Sequence, residues 1–159
     1  MMSARILKPG EGQMTGVAGD IYTIKTSGRE TNGAYSVMEA IIPPQKGPPP
    51  HRHSREEESF FVIDGEMEFV ADGVHSFGKK GTWVTLPRGS LHYFKNVGQT
   101  PARMLILAVP AGLEDYFIEV SQAAGTFSED QPPVFDPEQI EKMIAVAPKY
   151  GIEIVLPEH

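Results

Sequence analysis

This chain of 159 residues contains no cysteine, which excludes a disulfide framework, a thiolate nucleophile and any iron-sulfur or zinc-thiolate centre. Positive charge is in short supply: 14 Lys and Arg stand against 21 Asp and Glu, a formal charge of -7. Without a basic stripe to displace counterions, neither nucleic acid nor an anionic membrane is expected as a partner. Long apolar runs are also missing. None approaches the roughly 20 residues of a membrane span. The opening MMSARILKPGEGQMTG lacks an apolar core long enough for a signal peptide, so a cytoplasmic protein is expected. Tryptophan occurs once, as Trp83, and is expected to pack rather than to serve as a ligand platform.

What the chain does have is a series of short β-forming runs between turn signals. Residues 21–26, 34–42, 59–63, 66–71, 74–77, 82–86, 91–96 and 102–109 read as strands, the spacing of an antiparallel sandwich or barrel. Asp64-Gly65 and Asp72-Gly73 supply the positive φ angles of tight turns, the first expected to close a hairpin. Beyond Pro110 the period lengthens. Leu113, Tyr116, Phe117 and Val120 fall at helical spacing, with an end expected at Ala123-Ala124-Gly125. A second helix is expected to start with Asp136 as N-cap, Pro137 at its first position and Gln139 completing a capping box. Its apolar stripe is Ile140, Met143, Ile144 and Ala147, and Gly151 follows its end. Both stripes are expected to be core or dimer contact. The closing IEIVLP is expected to add a strand to this barrel or to that of a second subunit. The length suits one domain over 1–159, with a barrel core at about 20–110 and a helical extension at about 111–159.

Histidines sit where such strands can gather them. His51 and His53 are separated by one residue, so on an extended strand both face the same side. Prolines 43, 44, 48, 49 and 50 make a stiff approach to that pair. Glu58 heads the run SFFVID in phase with Phe60 and Val62, and is expected on an antiparallel neighbour turned back towards the histidines. Glu56 and Glu57 are read as a solvated acidic face. The turn Pro87-Arg88-Gly89 leads to a strand that carries His92, Phe94 and Asn96 on one face, and His92 closes the set. His75 and His159 are expected to be solvated. Alone, an HxH pair is more often a solvated surface feature than a ligand pair.

These segments resemble the two signature motifs of the cupin superfamily. Gly47, His51, His53, Glu58 and Gly65 fit the first motif, with a shortened spacer after Gly47. Gly81, Pro87, Gly89, His92 and Asn96 fit the second without departure. The resemblance implies an all-β, antiparallel double-stranded β-helix (a jelly-roll barrel) with C-terminal helices. It also implies one divalent transition metal, Fe, Mn, Ni, Cu or Zn, held by His51, His53, Glu58 and His92. Three imidazoles and a carboxylate suit such ions and leave one or two coordination positions open. Strand phase makes Met38, Phe60, Val62, Phe94, Met104 and Ile106 candidates for the substrate-binding wall, and Arg88 and Tyr93 the polar groups to test.

The order of barrel, helices and terminal YGIEIVLP is similar to single-domain quercetin dioxygenase-like cupins. That resemblance implies an oxygenase acting on a small hydroxylated aromatic or enolisable substrate with dioxygen, and Glu58 as catalytic base as well as ligand. A metal-dependent isomerase or decarboxylase, and a non-catalytic small-molecule-binding cupin, remain open beside it. A homodimer is the expected assembly.

Overall fold

The computed structural model describes residues 3–158, so His159 lies outside the described residues. Among the described residues, eleven strands form two antiparallel sheets. One sheet has six strands in the order β1 (Gln13–Val17), β2 (Asp20–Thr26), β3 (Ser36–Ile42), β10 (Ala102–Val109), β5 (Glu57–Asp64) and β8 (Trp83–Leu86). The other runs β11 (Ile152–Ile154), β4 (His51–His53), β9 (His92–Asn96), β6 (Glu66–Ala71) and β7 (Val74–Lys79). The sheets face one another as a jelly roll, the double-stranded β-helix expected from the sequence.

Alternation explains why the two sheets close on one core. In β10, Ala102, Met104, Ile106 and Ala108 are buried while their neighbours are half-exposed; in β5 the inward set is Glu58, Phe60 and Val62, and in β9 it is His92, Phe94 and Asn96. A one-residue slip in any of these strands would turn its apolar set to water. The polar member, Asn96, is fully buried and satisfied. Its Nδ2 donates to Ile42 O and Thr100 O, and its Oδ1 accepts from Gly98 N, all at 2.8 Å. It thereby ties β9 to the end of β3 in the opposite sheet.

Several sequence expectations change. Asp64-Gly65 does not close a hairpin: β5 and β6 lie in different sheets, and the chain turns a corner between them. Gly65 is needed there because its φ is 100° and a Cβ would sit 2.7 Å from that of Ala102. Asp72-Gly73 does form a tight turn, joining β6 to β7. Strand β1 and a one-turn helix, α1 (Gly28–Thr31), precede the elements that alternation picked out or interrupt them. At the other end α2 (Leu113–Val120) stops before Ala123, because Ser121 already has extended ψ. In α3 (Pro137–Val146) Asp136 caps by accepting from Glu138 N, but Gln139 does not complete a capping box. Its buried amide donates instead to Gly16 O and Val120 O, pinning the helix to β1 and α2. β11 pairs with β4 of the same chain, Ile152 opposite His53. Among the described residues no helix is long and apolar enough to cross a membrane.

Candidate metal centre

Three strands deliver the cluster. His51 and His53 share one face of β4, and His51 is the direct cross-strand partner of His92 on β9. Glu58 comes from the opposite sheet rather than from an antiparallel neighbour of β4, since β5 pairs with β10 and β8. The carboxylate therefore faces the imidazoles across the barrel. One donor atom from each of His51, His53, Glu58 and His92 lies within 4.8 Å of the others. Gly47 sets the approach: a Cβ there would fall 1.9 Å from Phe94 O, so only glycine lets the proline-rich segment lie against β9.

The hydrogen bonds leave this cluster short of a positive charge. His51 Nδ1 donates to Pro49 O at 2.8 Å, and His92 Nδ1 donates to Ser90 O at 2.9 Å. In a neutral ring that tautomer leaves the lone pair on Nε2. Yet His92 Nε2 lies 2.9 Å from Glu58 Oε2, and two acceptors at that distance repel unless a proton or a cation lies between them. His53 is buried with neither ring nitrogen hydrogen-bonded; its Nε2 stands 3.4 Å from Glu58 Oε1 and its Nδ1 3.5 Å from Glu56 Oε2. Orphaned ring nitrogens, inward lone pairs and an ionised carboxylate fit a divalent transition metal.

Burial and the neighbouring charges set the protonation states. Burial drives the His51 imidazole down to about 3, and His53 and His92 push it the same way. Burial also pulls His53 down, but the Glu58 and Glu56 carboxylates outweigh it and hold that ring above its ordinary value. Glu58 would be raised by burial, yet the three imidazoles keep it at about 2. The result is an ionised carboxylate beside a neutral His51.

Glu56 corrects the expectation of a solvated acidic run: it is only 3% exposed, turned under the β4–β5 connection against His53. Glu57 is exposed as expected. His75 is exposed on β7, 2.5 Å from Glu68, well apart from the cluster. Trp83 is more exposed than its expected packing role implied; it is 58% accessible and touches Phe61.

A narrow apolar cavity adjoins the cluster. His51, His53 and Glu58 form part of its wall together with Phe60, Phe94 and Ile106. The centre of a water molecule can occupy ≈ 50 Å³ of it, room for about three to five waters at roughly 10–15 Å³ each. Met38, Val62 and Met104 face inward but lie in the barrel core away from this wall. Met104 pairs with Val62, four residues along β5 from Glu58, or roughly 13 Å at a strand's rise. Strand phase identifies the inward face but not the depth. Arg88 is held on the surface by donating to Arg55 O, and neither it nor Tyr93 lines the cavity. The wall also includes residues that alternation did not single out: Asp20 and Tyr22 of β2, and Leu113, Tyr116 and Phe117 of α2 with Met143 of α3. The helical stripes therefore cover the cavity as well as the core.

Comparison with known proteins agrees with this fold. A family model described as a cupin domain matches residues 38–109. The chain is 30% identical over 115 residues to nectarin-1 of Nicotiana plumbaginifolia, covering 64% of this chain and 50% of that one. It is 39% identical over 62 residues to germin-like protein subfamily 2 member 2 of Arabidopsis thaliana, covering 36% and 28%. The chain thus spans half or less of the length of these curated relatives. An RmlC-like cupin from Shewanella frigidimarina superposes with a TM-score of 0.61 at 16% identity, covering 71% of this chain and 96% of the other. The cupin-domain match spans residues 38–109, under half of the chain, and the solved structure shares its jelly-roll fold.

Proposed function

We propose that this protein is a metal-dependent enzyme that holds one divalent transition metal through His51, His53, Glu58 and His92 and acts on a small hydroxylated or enolisable compound. The observation that carries the reading is the convergence of four donor atoms within 4.8 Å, with His51, His53 and Glu58 on the wall of an apolar cavity. When bound, the ion would supply Lewis acidity, lowering the pKa of a coordinated hydroxyl or enol. Glu58 then serves as acceptor of that proton. His51 and His92 are fixed in their ligating tautomers by Pro49 O and Ser90 O, and Phe60, Phe94 and Ile106 exclude water from the reacting group.

Oxygenation with dioxygen as co-substrate is the reaction class we assign first, by similarity to quercetinase-like cupins. The cavity volume favours a substrate of few heavy atoms over a whole flavonol. Non-oxidative proton transfer or decarboxylation is the second reading, favoured by the buried Asp20 carboxyl on the same wall. A cytoplasmic location and a homodimer belong to the same proposal; exposed Phe61, Val74, Phe77 and Trp83 support a self-association face. The acidic balance argues against nucleic acid and membrane as partners.

Plasma mass spectrometry on untagged, chelator-free protein tests the centre. About one transition metal per chain, lost in His51→Ala, His53→Ala and His92→Ala while the fold persists, is the expected result. Full metal content in all three variants would defeat the assignment. Oxygen uptake with small enols and catechols then separates oxygenation from proton transfer, which would instead incorporate solvent deuterium into substrate without consuming oxygen.

A further inference from the structure

The cavity contains a second pair of polar groups that metal coordination leaves unused. Asp20 opens β2 directly after the Ala18-Gly19 turn and is 0% exposed. Its Oδ2 accepts from the Tyr22 hydroxyl at 3.0 Å, while its Oδ1, equally buried, has no partner. Tyr22 is 2% exposed and its ring stacks on Phe117 at 4.4 Å. Both residues line the same cavity as His51, His53 and Glu58. An ion pair does not account for them, and a carboxyl oxygen buried without a partner is stable only if something else satisfies it.

We propose that Asp20 and Tyr22 form a second anchor of the cavity, in which a neutral Asp20 carboxyl donates a hydrogen bond to an oxygen of a small keto acid whose other end meets the His/Glu cluster. The proposal rests on the metal-centre reading for that other end. Burial pushes Asp20 up to about 8, with the Tyr22 hydrogen bond and the Lys46 charge opposing it only in part. At neutral pH the free oxygen therefore carries the proton and is a donor awaiting an acceptor. Tyr22 is driven well above its ordinary value, chiefly by burial and then by the charges of Asp20 and Glu58, so it remains a phenol. The titratable groups facing the pair are Lys46 from the segment after β3, Glu58 from β5 and Tyr116 from α2. Lys46 supplies the one nearby positive charge among these, which favours an anionic ligand over a neutral one. A ligand of this kind also suits the room available, which holds only a few non-hydrogen atoms as it stands.

The test is calorimetric titration of pyruvate into the zinc-loaded full chain, zinc being redox-inert. Wild-type affinity should fall as pH rises through about 8, because an ionised Asp20 no longer donates and repels the carboxylate. Asp20→Ala should weaken binding tenfold or more at pH 7 with the zinc stoichiometry unchanged. Asp20→Asn keeps the shape and an N–H donor at every pH, so its affinity should lose the alkaline fall seen in wild type. If Asp20→Ala does not fold, the pH profile of Asp20→Asn decides alone. Equal affinity in Asp20→Ala at full zinc content, an alkaline fall in Asp20→Asn matching wild type, or no pyruvate binding by zinc-loaded wild type would each overturn the anchor. A wild-type chain that holds no zinc is a separate result, which overturns the metal-centre reading itself.

Discussion

Glu56 and Glu58 are two residues apart and do different things because of what each meets. Glu58 points across the barrel at three imidazoles, whereas Glu56 folds beneath His53 and stands 3.5 Å from its outer nitrogen. A carboxylate in that place orients the ring and raises its basicity, and removing such a partner costs about 10–100-fold in metal affinity. Glu56→Gln should therefore retain the fold while losing metal to a competing chelator at 10–100-fold lower concentration than wild type. An unchanged competition curve would return Glu56 to a purely structural role. Asp20 makes a prediction of its own in the metal-free protein. Its folded value of about 8 lies above the ordinary 3.8, so its contribution to stability is full below about pH 4 and lost as pH rises through about 8. Relative to Asp20→Asn, wild type should lose stability between those limits, by on the order of 5 kcal/mol at most. Denaturant melts at pH 5 and pH 8.5 on both proteins measure that difference directly; parallel pH slopes would exclude a buried, protonated Asp20.

At the scale of elements, the site depends on an edge. β4 has three residues, and its neighbours are β9 on one side, through the single pair His51 and His92, and β11 on the other. β11 comes from the far end of the chain, and Ile152 faces His53 in the register. Docking the last strand therefore supports the HxH pair, and the same strand contributes Ile152 and Ile154 to the cavity wall. The flanking bonds run from Ser54 N to Gly151 O and from Val155 N to Pro50 O, so in this antiparallel pair Glu153, opposite Arg52, is the residue whose N–H faces β4. Glu153→Pro removes that ladder donor and should lower stability by roughly 2–3 kcal/mol. It should weaken metal binding at the same time, because β4 loses the neighbour that holds it flat. Thermal melts with and without metal check this; a stability loss with no change in metal affinity would separate the strand from the site. The helices act in parallel. Tyr116 donates to Met143 O at 3.0 Å, linking α2 to α3 over the cavity, so both helices form a fixed part of its wall.

Considered whole, the molecule keeps its candidate metal ligands inside and leaves aromatic side chains of its edge strands exposed. Trp83 on β8 is 58% exposed and touches Phe61, while Phe77 on β7 is 74% exposed. Edge strands with exposed aromatics invite pairing with another copy. The homodimer should appear as twice the chain mass of 17.4 kDa in light scattering, with Trp83 fluorescence protected from acrylamide on dimerisation. Trp83→Glu should return it to a monomer that still holds metal. A wild-type protein monomeric at high concentration would remove the dimer from the proposal.

Sequence alone determined the parts that depend on period and spacing. Alternation fixed the inward faces of β5, β9 and β10, because side chains on a strand alternate whatever it pairs with. The spacing of His51, His53, Glu58 and His92 identified the cluster for the same reason, each residue falling on an inward face. Tertiary structure decided everything that depends on which strands become neighbours. It put Glu58 on the opposite sheet, turned Gly65 from a hairpin into a corner, and buried Glu56 where its run of acids reads as solvated. Asp20 was hidden by the same limit: it precedes the strand expected over 21–26, and only the packing of α2 and β2 around one cavity makes it a buried acid. Local period carries the direction of a side chain, while its depth and company are set by contacts far apart in the chain.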